Sequence, residues 1–197
     1  MFGKPKGDIQ NESTPFDPSS LYACYKHYAY NLCRYYRRRH GIFASTAILY
    51  NHESPRRSPK YVSRKISQSV ALIAAGKLDR LGLGNLKTRV DWGYAKDFME
   101  AAWNILQLDA PDDFVIATGE AHPVQEFVDE AFRMVGLKSE DYIYADPKFF
   151  RPVSNDLLRG DISKAKKAFG FNPRIKFKNL VKLMVEHDLK LIRKNQL

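Results

Sequence analysis

The sequence predicts an α/β fold built around a parallel sheet. Stretches with helical periodicity alternate with short apolar runs, the pattern of helices packed on strands. Two of those runs, IFASTAILY at 42–50 and DFVIATG at 113–119, are short, apolar and rich in β-formers, as buried parallel strands are. Glycines follow three of the helical stretches, at 41, 76 and 136, where a left-handed residue ends a helix.

Taken in order, residues 1–16 read as a loop. Asp17 followed by Pro18 reads as an N-cap and a first-turn proline. Leu21, Tyr25, Tyr28, Leu32 and Tyr35 then repeat at helical spacing and predict an apolar stripe on a helix closed by Gly41. The strand at 42–50 runs into a polar loop, NHESPRRSPK, at 51–60. A second helix is expected over 62–75, a short strand over 79–83, and a third helix over 94–108 with Phe98, Ala102, Ile105 and Leu106 inward. After the strand at 113–119 come a helix over 123–135, a possible strand at 142–145, a short helix capped by Asp161 and a last helix over 177–194. No internal repeat or low-complexity tract interrupts this order.

The 197 residues, 44% of them hydrophobic, suffice for a packed core. A net charge of +10 suits nucleic acid, an acidic membrane or phosphorylated ligands. No apolar run approaches the ~18 residues of a membrane span. MFGKPKGDIQNESTP lacks the apolar core of a signal peptide, so a cytoplasmic location is the expectation. Cys24 and Cys33, nine positions apart on one predicted helix, lie too far apart to pair and read as thiols. His27, His122 and His187 have no cysteine or carboxylate at ligand spacing, and no metal is expected.

Two clusters carry chemistry. Tyr22 and Lys26, four positions apart, share one face of the first helix. A lysine beside a phenol favours the phenolate, which makes the tyrosine a candidate base toward a sugar hydroxyl. The second cluster is the NHESPRR loop. It leaves the C-terminal end of an apolar strand, where open α/β sheets bind ligands. Asn51, His52 and Glu53 offer hydrogen-bonding groups, and Arg56 and Arg57 offer planar forks for phosphate. A G-x-G-x-x-G turn, the usual dinucleotide cradle, occurs nowhere in the chain.

Read together, YACYKHYAY, AILYNHESPRR, YVSRKIS, LGLGNL, DWGYAKDFMEAAW, DDFVIATGEAHPVQEFV, FRP and GDISKAKKAFGFNP resemble the GDP-mannose 4,6-dehydratases, in order and with matching spacing over nearly the whole chain. That resemblance implies a truncated Rossmann-like NAD(P)-binding fold of the extended short-chain dehydrogenase/reductase type. Residues 1–60 would end the Rossmann-like domain and 61–197 would be mainly the substrate-binding part, with some elements returning to the sheet. It implies NADP as recycled cofactor, GDP-mannose as substrate, and either a homo-oligomer or a missing N-terminal half. Tyr22 matches the family's catalytic base, with Lys26 after it and near the cofactor. His52, Arg56 and Arg57 match cofactor contacts, and Asn51, Arg64, Lys65, Arg89 and Arg151 match contacts to the nucleotide sugar.

The match has gaps. The family's glycine-rich turn, first strands and catalytic Ser/Thr and Glu precede the stretch matched here, so a fragment inactive alone is expected. Val90 stands where the family has an arginine before DWG, with Arg89 one place earlier, and RPVSN puts Ser154 where the family has glutamate. The rival reading is a non-catalytic basic module for RNA or another polyanion, drawn from the net charge and RYYRRR; no stacking-aromatic motif of an RNA module supports it.

Overall fold

A computed structural model describes residues 1–5, 7–150 and 157–196. It has six helices and ten short strands among those residues. The strands are β1 (Ile9–Gln10), β2 (Thr46–Leu49), β3 (Asn51–Glu53), β4 (Leu81–Leu83), β5 (Arg89–Val90), β6 (Trp92–Tyr94), β7 (Asp113–Ile116), β8 (His122–Pro123), β9 (Ile143–Ala145) and β10 (Leu157–Gly160). The helices are α1 (Leu21–His40), α2 (Val62–Ala74), α3 (Ala95–Ile105), α4 (Val124–Arg133), α5 (Ser163–Phe169) and α6 (Phe177–Arg193).

Pairing is parallel almost throughout. β2 pairs β7, β3 pairs β6, β4 pairs β9, and β1–β10–β5 form a parallel run closed by antiparallel β8. The chain leaves β2, donates the Tyr50 amide to Ile116 O at 2.9 Å, and re-pairs with β6 as β3. One strand direction thus spans two partners, and the stretch expected as a polar loop begins as a strand because its backbone finds that second partner.

The core has two clusters. One lies between α2, α4 and α6, where Ile66, Val70, Phe127, Leu180, Val181 and Met184 are fully buried. The other joins β2, β7 and α3 through Ile48, Tyr50, Phe98, Ile105 and Phe114, with Phe2 and Tyr30 at its margin.

Several expectations need correction. α1 starts at Leu21, not near Pro18: Ser20, extended at φ −144°, accepts from the Ala23 amide at 3.1 Å and displaces Asp17 as the cap. Gly41 does end it, at φ +65°. The apolar stripe of this helix faces outward, with Leu21 77% and Tyr25 69% exposed and Tyr28, Leu32 and Tyr35 exposed as well. The side that meets the body carries Tyr30, against Phe16 at 4.9 Å, and Arg37, which pairs with Asp113 at 2.6 Å. Strand 42–50 shortens to β2, because 42–45 find no strand partner among the described residues. α3 ends at Ile105, leaving Leu106 exposed and Ala102 half-buried, while Ala101 takes the inward position. Residues 1–16 hold β1. Arg151 and Ser154 lie outside the described residues.

Candidate functional site

The loop after β3 is built from its own sequence and from the first turn of α2. Register sets His52 opposite Gly93 of β6. The Phe98 ring occupies the space a Cβ at Gly93 would need, 2.1 Å from it, so only glycine fits there. His52 stacks on that same Phe98 ring at 5.6 Å. Its Nδ1 sits 3.0 Å from Tyr50 O, which fixes the ring and leaves Nε2 as the outward nitrogen.

Glu53 is the buried pivot of the loop. It accepts from Ser63 Oγ at 2.7 Å and lies 3.2 Å from Arg57 Nε. Burial pushes its carboxyl above the ordinary range, opposed by Ser63, Arg57 and His52. The Arg57 guanidinium also stacks over Tyr61 at 3.5 Å, so one face is held by the ring, while its Nε meets Glu53 as an ion pair without a hydrogen bond. The Arg57 amide closes a turn onto Ser54 O at 2.9 Å. Arg56 is exposed. Asn51 is exposed too, at the start of β3.

The next helix anchors two further candidates. Arg64 is buried, pairs with the fully buried Asp188 of α6, and donates from Nε to Pro55 O at 3.0 Å. Lys65 Nζ donates to Gly82 O of β4 at 2.6 Å and sits 3.2 Å from the Phe149 ring centroid. Burial lowers the Lys65 pKa, with Asp146 opposing. Arg89, in β5, donates to Ala121 O at 2.8 Å.

Tyr22 and Lys26 lie in the first turns of α1, both exposed, with Lys26 Nζ 5.5 Å from the Tyr22 ring centroid. The shared face expected from their spacing is present. So the structure gathers His52, Arg56 and Arg57 on one braced loop, ties Arg64 and Lys65 inward from α2, and leaves Tyr22 and Lys26 in the open on α1. Sequence reasoning named Glu53 but missed its bracing role, for which the Glu53–Arg57 spacing was a usable signal. It missed Ser63, ten positions from Glu53, and Asp188, a buried partner 124 positions from Arg64 with no local signature.

The family model for GDP-mannose 4,6 dehydratase matches residues 1–184. GDP-mannose 4,6 dehydratase 2 of Arabidopsis thaliana is 46% identical over 196 residues, covering 100% of this chain and 52% of its own length. The Homo sapiens GDP-mannose 4,6 dehydratase is 44% identical, over 99% of this chain and 57% of its own. The chain thus spans about half the length of these relatives. Among solved structures, RMD from Pseudomonas aeruginosa complexed with NADPH superposes with a TM-score of 0.84 at 19% identity, over 91% of this chain and 59% of that one. The dTDP-glucose 4,6-dehydratase of Bacillus anthracis in complex with NAD gives 0.82 at 19%, over 94% of this chain and 57% of that one. At such identities these likenesses speak for the fold alone, a Rossmann-like α/β fold. On the match over residues 1–184, with the motif order and the fold agreeing, the chain belongs to the GDP-mannose 4,6-dehydratase family.

Proposed function

We propose that this chain supplies the C-terminal part of a GDP-mannose 4,6-dehydratase, converting GDP-mannose to its 4-keto-6-deoxy product with loss of water. The observation that carries this reading is the match of one family model over residues 1–184. NADP, when bound, would accept a hydride from one sugar carbon and return it to another. Tyr22 takes the C4 hydroxyl proton, and Lys26 stands on the same face of α1, 5.5 Å from its ring centroid. His52, Arg56 and Arg57 hold the cofactor. Their donor types fit phosphate and ribose oxygens, and the bracing by Glu53 and Tyr61 orders Arg57 before a ligand arrives. Asn51, Lys65, Arg89 and Arg151 contact the nucleotide sugar. The product would feed GDP-fucose or a related deoxysugar, in the cytoplasm.

Two parts of the reaction have no counterpart in these residues: a glycine-rich phosphate turn and the carboxylate base for the C5 proton. An α/β half carrying both, on the same or another chain, is the partner this reading requires, with homo-oligomers formed by the whole. Among the described residues β2 is paired only with β7, and the exposed side of α1 offers apolar surface. The test is to join the chain to the N-terminal segment of a relative and assay GDP-mannose with NADP. The joined protein should form the 4-keto product, Tyr22→Phe should lower turnover by about 10²–10⁴, and the chain alone should form little or none. No product from the joined protein, or full turnover with Tyr22→Phe, would overturn the proposal.

A further inference from the structure

Arg64 was expected at the substrate, yet its side chain is turned inward. It is 6% exposed, and its partner Asp188 is fully buried. Ser67 Oγ donates to the same Asp188 oxygen at 2.7 Å. The other Asp188 oxygen is buried without a hydrogen-bond partner. A buried ion pair brings little net stability against an apolar pair of the same volume, so stability alone does not account for it. What an apolar pair could not do is donate to Pro55 O, as Arg64 Nε does at 3.0 Å. Pro55 lies at the middle of the loop that carries His52, Arg56 and Arg57, and α2 grips that loop at two further points, Ser63 on Glu53 and Tyr61 under Arg57.

We infer that Arg64 is a positioning residue, not a ligand contact: aimed and neutralised by Asp188 of α6, it clamps the Pro55 carbonyl and so sets the loop that presents His52, Arg56 and Arg57. The identity of the ligand rests on the dehydratase reading; the clamp does not. α6 thereby reaches the site without touching it. Arg64 cannot swing out to a phosphate without leaving Asp188 charged and buried, and that holds the guanidinium on the loop.

The test uses amide hydrogen exchange on the chain and NADP⁺ binding on the joined protein. Arg64→Met with Asp188→Leu replaces the pair by apolar groups of similar volume and removes the donor to Pro55. Exchange at the Arg57 amide, bonded to Ser54 O, should speed up roughly three- to tenfold, the range one neutral hydrogen bond gives. Exchange in β7 should stay unchanged. Asp188→Asn separates the roles in the joined protein, since it keeps Arg64 but weakens its aim. NADP⁺ affinity should fall about as far as loop exchange rises. Unchanged loop exchange in the double variant would overturn the clamp. Faster exchange with unaltered NADP⁺ affinity in both variants would overturn its role in presenting the loop. If the unmutated joined protein binds no NADP⁺, the dehydratase reading fails, and the exchange result still decides the clamp.

Discussion

α1 and α2 are both helices with an apolar side, and they are used in opposite ways. α2 buries Ile66, Val70, Ala71 and Ile73 against α4 and α6, and its polar first turn braces the candidate loop from inside. α1 is longer, yet Tyr30 is its one buried residue. Its remaining apolar surface, Leu21, Tyr25, Tyr28, Leu32 and Tyr35, points outward. The α2 layer is closed: its apolar stripe has met its partners. The α1 layer is open, and large exposed apolar patches mark surfaces meant for other protein. Periodicity shows that a helix has an apolar side. It does not show whether that side meets the rest of the same chain.

The sharpest test of this contrast is paired truncation. Phe127, fully buried where α4 meets Trp92 and Phe177, should cost about 3–5 kcal/mol when replaced by alanine. Tyr25→Ala, on the outward side of α1, should change stability by no more than about 0.5 kcal/mol. Urea unfolding followed by circular dichroism gives both. Comparable losses would mean that α1 is as well packed as α2, and the division into closed and open layers would fall.

The junction between the layers offers the next effect. Asp91 lies between β5 and β6 and is 1% exposed. Its carboxylate accepts from the Thr118 amide and hydroxyl and from the Gly119 and Gly160 amides at 2.6–3.2 Å. Burial raises its pKa, and those donors pull it back. Asp91→Ala strands buried amides and should cost at least about 1–3 kcal/mol. If this residue couples the layers, unfolding should also lose cooperativity. Trp92 fluorescence, from the closed layer and read in a Trp103→Phe background, should then report a later transition than far-ultraviolet circular dichroism. A single coincident transition would show the layers to be coupled elsewhere.

Much of the fold was legible. The α2, α4 and α6 patterns, the glycines at 76 and 136, and the strands near 81–83, 113–116 and 143–145 all fall close to expectation. β1, β5, β8 and β10 were missed because two- to four-residue strands carry no periodicity of their own; distant backbone partners define them. The start of α1 was misjudged because Asp17–Pro18 and Ser20 are competing caps, and only the chain path chooses between them. At the site, Tyr22 with Lys26 and the His52–Arg57 loop stood out by residue type. The inward turn of Arg64 was invisible, since its partner sits on α6.

Tyr50 allows a test of what anchors the open layer. Its hydroxyl donates to Gln10 Oε1 at 2.9 Å, tying β2 to β1. Burial first, then the charge of Asp91, raises its pKa above the ordinary 10.0. A raised pKa in the folded state means stability fully present below pH ~10 and progressively lost above it, where the unfolded chain ionises more easily. Tyr50→Phe should cost about 0.5–1.5 kcal/mol at neutral pH. The gap to the unmutated chain should narrow above pH ~10, because phenylalanine has no proton to hold. Parallel stability curves through that range would show that Tyr50 is not the titrating anchor.

The smallest effect concerns charge on the open helix. α1 carries Lys26, Arg34, Arg37, Arg38 and Arg39 and no carboxylate, which is what the polyanion reading rests on. Arg37 is committed to Asp113 and Ala44 O, and Arg34 lies 5.4 Å from the Tyr30 ring centroid. Arg38 and Arg39 stand in the last turn of the helix, exposed, where positive charge complements the helix dipole whatever the ligand. Diffuse charge of this kind should bind RNA weakly, at roughly micromolar dissociation constants or poorer, with affinity falling steeply as salt rises. Arg38→Ala should leave the NADP⁺ affinity of the joined protein within about 0.5 kcal/mol. Arg57→Ala should lower it by about 1.5–3 kcal/mol, because a braced guanidinium makes directed bonds to a charged group. Calorimetric titration of both variants separates the two kinds of arginine. Equal losses would mean that the basic residues act as undirected charge, and the braced loop would lose its claim to be the site.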